Sequence, residues 1–205
     1  MTTVLCIDTA STDFALALAR DGHVVRSFAR DGAQDHSRLL LAAIQELLGD
    51  DAPDAVAAVR GPGSYAGLRV GLATAQGLAL ARALPIAGVG TMEAIAATQP
   101  PSAAFTAIHP AGRGNFAAQK FRDGLPAGDL FGATAEDLAG LALVGEGAAV
   151  FGGLEVTPEA RCRAALLLAL PRLKLAGPSD VEAIYLREPN ITMPRKRPPA
   201  PSQPR

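Results

Sequence analysis

Three apolar runs joined by short polar turns open the chain, and this order of elements constrains the fold more than any other feature. Residues 3 to 30 contain the runs VLCID, FALALA and HVVRSFA, and an Asp-Gly pair separates the second run from the third. Asp-Gly between apolar runs is a strong hairpin signal, so three strands joined by tight connections are predicted. Helical and strand-like patterns alternate after them as far as about residue 97, which predicts an α/β lobe.

The same opening recurs later in the chain. Phe14 and Phe116 each start a second apolar run and lie 102 positions apart, and the Asp-Gly turns that follow them have the same separation. Between the two copies, the stretch QPPS at residues 99 to 102 has the composition of a linker. Two related lobes are therefore predicted, the first at residues 1 to 99 and a smaller second one at residues 103 to 190.

Composition excludes several classes of protein. The chain has 205 residues, 49% of them hydrophobic, and a net charge of -1, so it is predicted to fold and to lack general attraction to nucleic acid or anionic membranes. Cys6 and Cys162 show no metal-binding spacing and are predicted to be buried, reduced thiols.

The N-terminus has no basic region and contains Asp8, so no signal peptide is predicted and a cytoplasmic protein is expected. Residues 191 to 205 hold five prolines, four Lys or Arg and no acid, which predicts a disordered tail.

A glycine-rich loop, GPGSYAGLRVG at residues 61 to 71, lies between a predicted strand and a predicted helix. Free N–H groups at a helix N-terminus favour anions, so phosphate binding is one hypothesis. The loop has no Walker lysine, misses the dinucleotide spacing by one residue and contains no G-x-S-x-G elbow. Ser64 is instead predicted to cap the helix. Gly67, Gly71, Ala75 and Ala79 follow at four-residue spacing, and this strip is predicted to let another helix come close.

The helix predicted just before this loop has an unusually wide apolar face. Its apolar residues span about 200° of the helical wheel, roughly twice the arc that one core contact requires. Part of this arc would face solvent unless a partner helix covered it, so an interface is predicted. The residues are Leu39, Leu40, Leu41, Ala43, Ile44, Leu47 and Leu48.

Few ionisable residues suggest catalysis. His23, His36 and His109 are scattered, so neither a metal site nor a catalytic residue is predicted. Asp8 ends the first strand beside Thr9, where a carboxylate could orient a metal-bound phosphate, or could accept loop N–H groups in an Asx turn. Asp8, Thr9 and Ser64 are therefore the candidates for a vestigial nucleotide site.

The segments IDTASTDFALAL, HSRLLL, GPGSYAGLRVGLATAQGLAL, PIAGVGTMEAIA and YLRE together resemble the TsaB family. Its members are dimerisation subunits of the bacterial tRNA threonylcarbamoyladenosine machinery and belong to the actin-like ATPase superfamily. The resemblance covers residues 3 to 98 and recurs around residues 105 to 122 and 184 to 188. It implies an α/β fold of two related actin-like (ASKHA) lobes, each with a mixed sheet and helices, the second lobe being shortened.

The resemblance also implies a function that composition does not show. Proteins of this family are noncatalytic scaffolds that bind TsaD, the related subunit that transfers threonylcarbamoyl to N6 of the tRNA adenosine next to the anticodon. TsaE, a small ATPase, joins them. We expect a heterodimer with TsaD, a homodimer when the chain is alone, tRNA contact only through the complex, no membrane contact and no cofactor. ATP or ADP binding by the complex stays open.

By the same resemblance, the contact with TsaD uses the two helices of the first lobe. The predicted interface residues are His36, Leu40, Leu41, Ile44, Leu48, Gly67, Arg69, Gly71 and Ala75.

The chain also departs from the family. His109 and Pro110 stand where an acid is expected, and only Arg113 of the usual Asp-Ala-Arg run is retained. Two other functions stay open, namely an independent actin-like nucleotide-binding enzyme and a homodimeric interaction protein.

Overall fold

A computed structural model describes residues 2–32, 36–174 and 181–186 of the chain. The predicted tail at residues 191 to 205 lies outside this part. The first lobe contains the strands β1 (Thr3–Asp8), β2 (Asp13–Arg20), β3 (His23–Asp31), β4 (Ala55–Val59) and β5 (Ile86–Val89). The second contains β6 (Ala104–Pro110), β7 (Phe116–Arg122), β8 (Leu125–Pro126), β9 (Phe131–Ala133), β10 (Leu143–Gly145) and β11 (Leu154–Glu155).

Helices connect and cover these strands. They are α1 (His36–Leu48), α2 (Tyr65–Arg82), α3 (Thr91–Ala96), α4 (Ala135–Leu138) and α5 (Pro158–Leu173), with a 3-10 helix at Ala148–Phe151. The predicted elements of the first lobe are confirmed, including a helix over the segment HSRLLLAAIQELL. In the second lobe, α4 is a single turn, which Thr134 caps by accepting a hydrogen bond from the Asp137 N–H.

The two sheets have the same strand order. The first runs β3-β2-β1-β4-β5 and the second runs β8-β7-β6-β10-β11, with β9 also pairing with β7. In each sheet the strand that comes first in sequence, β1 or β6, pairs antiparallel with the next strand, β2 or β7. On its other side it pairs parallel with a later strand, β4 or β10, and β4 in turn pairs parallel with β5. Both sheets are therefore mixed, and the predicted α/β architecture of two related lobes is confirmed.

The repeated Asp-Gly turns close equivalent hairpins. Asp21 and Gly22 have φ of 48° and 86°, and Asp123 and Gly124 have φ of 52° and 74°. Positive φ at both central residues is the geometry of a two-residue type I′ hairpin loop, which Asp-Gly favours. The turns join β2 to β3 and β7 to β8, so the sequence repeat corresponds to a structural one.

Alternation along the strands divides their side chains between the two faces of the first sheet. On β1, Leu5 and Ile7 pack with the apolar residues of α1 and α2, whereas Val4 and Cys6 pack towards α5. On β2, β4 and β5 the face towards α5 consists largely of alanine and valine, and these small side chains let the helix lie close to the sheet. α5 contacts all five strands of this sheet.

The thiols lie on this α5 face. Cys6 and Cys162 are both free and buried, as predicted. The Cys162 thiol donates to the backbone carbonyl of Ala15 at 3.5 Å, and burial raises the pKa of this thiol. α5 follows the second sheet in sequence yet covers the first, so it crosses the predicted division of the chain between the two lobes.

Candidate functional site

The site begins at the carboxyl end of β1, where Asp8 is fully buried. Its Oδ1 accepts a hydrogen bond from the Ala10 N–H at 3.0 Å, which is the Asx turn that the sequence left as one of two alternatives. Thr9, between them, is buried as well. The loop therefore holds the carboxylate in place by its own backbone.

Arg161 of α5 is the main partner of this carboxylate. Its Nε donates to Asp8 Oδ2 at 2.7 Å and its Nη2 donates to Asp8 Oδ1 at 3.2 Å. Nη2 also donates to the Ser11 hydroxyl oxygen at 2.8 Å. Both side chains of the ion pair are completely buried. Such two-pronged pairing matches the planar guanidinium to the carboxylate, and with the Ala10 N–H it gives Asp8 three donors.

The same guanidinium reaches into the second lobe. Nη1 of Arg161 donates to Glu146 Oε2 at 2.8 Å and to His109 Nδ1 at 3.2 Å. The Ser11 hydroxyl in turn donates to Glu146 Oε2. His109 lies on β6 and Glu146 follows β10, so one side chain connects the ends of strands from both sheets. We refer to Asp8, Ser11, His109, Glu146 and Arg161 as the Arg161 cluster.

Hydrogen bonding fixes the tautomer of His109. A guanidinium offers only donors, so Nδ1 must accept from Arg161 and carry no proton. Nε2 lies 3.0 Å from the Ala10 carbonyl oxygen and must donate to it. Burial and the Arg161 charge lower the pKa of His109 to about 3, so the ring is neutral. Although Nδ1 lies 3.6 Å from Glu146 Oε2, this contact is therefore not an ion pair.

Arg161 stays charged despite its burial. Removal from water alone would lower the pKa of the guanidinium, but the charges of Asp8 and Glu146 overcome this effect and raise the pKa above its ordinary value. The cluster thus contains two carboxylates, one guanidinium and one neutral imidazole. Because Arg161 engages both oxygens of the Asp8 carboxylate, the arrangement favours a structural role for Asp8 over orientation of a metal-bound phosphate. No three His, Cys, Asp or Glu side chains converge as a metal site within the described ranges.

Sequence reasoning found Asp8 but missed Arg161 and Glu146. A usable signal was present in α5, where Arg161 stands at four-residue spacing before Ala165 and Ala169, both fully buried. An arginine in line with a buried alanine face must be paired, because an unpaired buried charge is very costly. The sequence analysis considered His109 as one of three scattered histidines and as a departure from the expected acid, and the structure shows that its Nδ1 serves as an acceptor for Arg161.

The glycine-rich loop packs against the loop that follows β1. Ser64 caps α2 as predicted, since its Oγ accepts from the Gly67 N–H at 3.3 Å. A Cβ at Gly67 would overlap the Thr9 carbonyl oxygen, and one at Gly71 would overlap the Thr9 side chain. The close approach predicted for this strip is real, but the predicted contact is wrong. Gly67 and Gly71 face the chain's own Thr9, and Ala75 and Ala79 pack into the core of the first lobe.

Several predicted interface residues belong to the chain's own core. They include members of α1 and of the buried strip on α2, and they pack on the first sheet or the loop after β1 because they lie on the inner faces of their helices. They are Leu40, Ile44, Gly67, Gly71 and Ala75. Leu48 is partly buried against the same core. His36 begins α1, but its side chain lies outside the described part of the structure.

Two predicted interface residues are on the surface. Leu41 is 56% exposed, so the wide apolar arc of α1 does leave a large side chain in solvent. Arg69 on α2 is exposed, and its Nη1 donates to the Tyr65 hydroxyl at 3.0 Å. The Tyr65 ring also lies 5.2 Å from the ring of Tyr185.

The outer face of α2 carries a second strip of small residues. Ala73, Gly77 and Ala81 are exposed at four-residue spacing, and a Cβ at Gly77 would meet nothing within 4 Å. Leu80 beside them is 85% exposed. We call Leu41, Arg69 and this strip with Leu80 the outer α1–α2 surface. Small residues were predicted for the opposite face of α2, and an apolar arc too wide for one core contact was predicted for α1; the outer α1–α2 surface carries exposed examples of both features.

Comparison with known proteins gives a family match over most of the chain. The family model described as "TsaD: tRNA N6-adenosine threonylcarbamoyltransferase" matches residues 29–152. This span includes both α1 and α2 and most of the second sheet.

Two curated relatives share the name "tRNA threonylcarbamoyladenosine biosynthesis protein TsaB". The Escherichia coli relative is 40% identical over 98 residues, which are 45% of this chain and 42% of that protein. The Bacillus subtilis relative is 34% identical over 100 residues, which are 46% of this chain and 44% of that protein. The matched part of the chain thus spans less than half the length of these two relatives.

A solved structure shares the fold. "YeaZ from Pseudomonas aeruginosa" aligns over 91% of this chain and 100% of its own length, with a TM-score of 0.71 and 22% sequence identity. In the part of the chain that the structure describes, we find no helix with the length and apolar character needed to cross a membrane.

Proposed function

The chain belongs to the protein family of TsaD, tRNA N6-adenosine threonylcarbamoyltransferase, and we propose that it acts there as a noncatalytic scaffold. In this proposal it binds a TsaD subunit as a heterodimer and supports threonylcarbamoyl transfer to N6 of the tRNA adenosine next to the anticodon. The names of the Escherichia coli and Bacillus subtilis relatives support this pathway.

The observation that carries the proposal is the outer α1–α2 surface. It lies within the matched span, and it combines exposed leucines on both helices with a strip where Gly77 leaves open space. Small residues along a helix let a second helix pack at short range, and exposed leucines supply apolar area to bury. We infer that this surface, rather than the buried strip, receives helices of the partner.

The noncatalytic part of the proposal rests on the Arg161 cluster. Asp8 is the carboxylate placed to act on a bound phosphate, and Arg161 occupies both of its oxygens. His109 is neutral, fully buried and hydrogen-bonded through both ring nitrogens, so it is poorly placed to serve as an acid or base. We propose that the chain uses no cofactor of its own. Isothermal calorimetry with Mg-ATP at millimolar concentration should give no binding heat, and a saturable heat would favour the nucleotide-binding alternative.

Further parts of the proposal concern assembly. TsaE is expected to join the pair, tRNA to be contacted only through the complex, and the free chain to form a homodimer, all in the cytoplasm. The homodimer follows from the same apolar surface, because an uncovered surface of this kind favours self-association. Analytical ultracentrifugation across concentrations, with and without TsaD, would show whether TsaD displaces the homodimer.

The test of the scaffold uses Gly77→Leu. Gly77 is exposed and a Cβ there meets nothing within 4 Å, so a leucine should keep the fold while it blocks the approach of a partner helix. We expect the Kd for TsaD to rise at least about tenfold, which corresponds to about 1.4 kcal/mol, and transfer activity of the mixture to fall in parallel. Titration calorimetry and transfer of threonylcarbamoyl to tRNA measure the two effects.

The matched control is Gly128→Leu. Gly128 lies in the second lobe, and a Cβ there also meets nothing within 4 Å. The affinity of the Gly128→Leu variant for TsaD should equal that of the unchanged chain. Equal affinities for all three proteins would overturn the surface assignment, and transfer activity by this chain without TsaD would overturn the scaffold proposal.

A further inference from the structure

The two tyrosines of the chain lie against each other on its surface. Tyr65 begins α2 and Tyr185 belongs to the segment 181–186, and their ring centroids are 5.2 Å apart. Tyr65 is 45% exposed and Tyr185 is 38% exposed. The chain has no tryptophan, and each of its phenylalanines is buried or only partly exposed. The exposed aromatic surface of this protein is therefore concentrated at one place.

Arg69, one turn further along α2, completes this group. Its guanidinium carbon lies 5.4 Å from the centroid of the Tyr65 ring, and its Nη1 donates to the Tyr65 hydroxyl at 3.0 Å. Arg69 is exposed, and its other N–H donors are not hydrogen-bonded to any described residue. We call Tyr65, Arg69 and Tyr185 the tyrosine–arginine group. It presents two aromatic rings and a guanidinium whose direction is fixed by one of them.

The residues on either side of Tyr185 hold it in position. The Ile184 N–H donates to the Arg60 carbonyl oxygen at 2.7 Å, and Leu186 packs on the apolar core of the second lobe. Tyr185 is thus placed beside Tyr65 by contacts that its own exposed ring does not make. A side chain that is already positioned loses less conformational freedom when a partner covers it, so this arrangement suits binding.

The group continues the outer α1–α2 surface. One row of α2 residues is exposed along its whole length at four-residue spacing, which is the spacing of a ridge on a helix surface. The row starts with the two large side chains of the group and continues with small residues. A helix that packs closely along the small residues therefore meets the tyrosine–arginine group at the start of the row. The row consists of Tyr65, Arg69, Ala73, Gly77 and Ala81.

We propose that the tyrosine–arginine group binds the TsaD subunit, with Arg69 paired to a carboxylate on the helix that packs along α2. This inference rests on the proposed function, because it adds Tyr65, Tyr185 and an acidic partner side chain to the same interface. Tyrosine and arginine are enriched among the side chains that contribute most to binding free energy. RNA fits the surface less well, because the row carries one cation among small residues and phosphate binding needs several.

The first test labels the full-length chain with 3-fluorotyrosine. Two fluorine NMR signals are expected, because Tyr65 and Tyr185 are the only tyrosines, and Tyr185→Phe assigns them. Unlabelled TsaD should change the chemical shift of both signals in proportion to the bound fraction measured by calorimetry. tRNA without TsaD should change neither shift. Shift changes with tRNA alone would overturn the proposal in favour of an RNA-binding surface.

The second test measures the Kd for TsaD by titration calorimetry. Arg69→Gln should raise the Kd at least about tenfold, and it should remove most of the rise in Kd that added NaCl causes, because salt screens an exposed ion pair. Tyr185→Ala should also raise the Kd at least about tenfold, since it removes one of the two rings. Tyr185→Phe keeps the ring pair and should stay within about twofold of the parent.

The controls are Arg122→Gln and Leu125→Ala, which remove an exposed cation and an exposed apolar side chain from the second lobe. Their Kd values should equal that of the parent, and each variant is titrated well below its measured Tm. If the parent chain does not bind TsaD, the proposed function is wrong and this inference is wrong with it. If the parent binds, unchanged fluorine shifts, or a Kd for Arg69→Gln or Tyr185→Ala equal to that of its control, would overturn this inference alone.

Discussion

At the scale of single residues, Arg161 decides what the end of β1 can do. An aspartate at the end of a first strand, beside a loop of hydroxyl residues, has the chemistry to orient a phosphate. Here the carboxylate, the Ser11 hydroxyl and Glu146 all pair with one guanidinium. The same residue types that suggest a nucleotide site thus form a hydrogen-bonded network around one guanidinium that joins the lobes.

Replacing Arg161 by methionine should strongly destabilise the protein. The change keeps most of the side-chain volume but leaves Asp8 buried without its counter-ion, which costs about 3 to 5 kcal/mol. Urea denaturation measures the loss. The control is Arg172→Met, which breaks an ion pair with Glu93 in which both side chains are about 40% exposed, and should cost less than about 1 kcal/mol. Similar losses for the two variants would show that the Arg161 cluster is not a stabilising network.

His109 should make stability depend on pH. Its pKa is about 3 in the folded chain, against an ordinary value of 6.5, so only the unfolded chain takes up its proton between these values. The resulting stabilisation is complete above pH 6.5 and is lost as the pH falls towards 3. By linkage, the free energy of unfolding should drop by about 2 kcal/mol from pH 7 to pH 5 through this residue.

The variant His109→Gln isolates this effect. Its amide can accept from Arg161 and donate to Ala10, but it does not titrate. The difference between the parent and variant slopes of unfolding free energy against pH then belongs to His109, since Asp8, Glu146 and Arg161 are common to both. Parallel slopes between pH 5 and pH 7 would contradict a buried, neutral imidazole.

At the scale of elements, α2 shows what a repeating pattern predicts and what it leaves open. The four-residue spacing of Gly67 and Gly71 correctly predicted a helix face without side chains. The spacing does not say which neighbour lies against that face, because this depends on where the loop after β1 passes. Thr9 fills the space, and the strip with open space is the one at Ala73, Gly77 and Ala81.

Alanine at two glycines of α2 should therefore have opposite effects. Gly77→Ala should stabilise the chain by up to about 1 kcal/mol, because alanine is the better helix former and meets no neighbour. Gly71→Ala should destabilise it by about 1 to 3 kcal/mol, because its Cβ overlaps the Thr9 side chain in a packed region. Thermal unfolding of the two variants gives the comparison, and shifts of the same sign would contradict this assignment of the helix faces.

The part of the fold that was predictable is the part that local sequence specifies. Asp-Gly turns and the cap at Ser64 act within a few residues, and the structure confirms both. The Arg161 cluster was not predictable in this way, because Arg161 and Asp8 are 153 positions apart in the sequence. Local sequence likewise does not reveal which sheet α5 covers.

At the scale of the whole molecule, two sheets with the same strand order are connected by one long helix, α5. The sheets share their strand order, but α5 comes after the second and packs on all five strands of the first. Arg161, in the first turns of this helix, then reaches Glu146 and His109 of the second lobe. Neither lobe has its complete set of contacts without the other.

The chain should therefore unfold in one cooperative transition. Truncation of the chain before α5 should abolish this transition. Removing residues 158 to 205 leaves all eleven described strands but exposes the apolar face formed by β1, β2, β4 and β5, and it deletes Arg161. We expect this fragment to lose near-UV circular dichroism and to show no cooperative heat absorption. Removing only residues 187 to 205 keeps every described strand and helix and should leave a single transition with equal calorimetric and van't Hoff enthalpies. A fragment lacking α5 that still melts cooperatively would mean that the first sheet is stable without its cover, because its other face with α1 and α2 would then suffice.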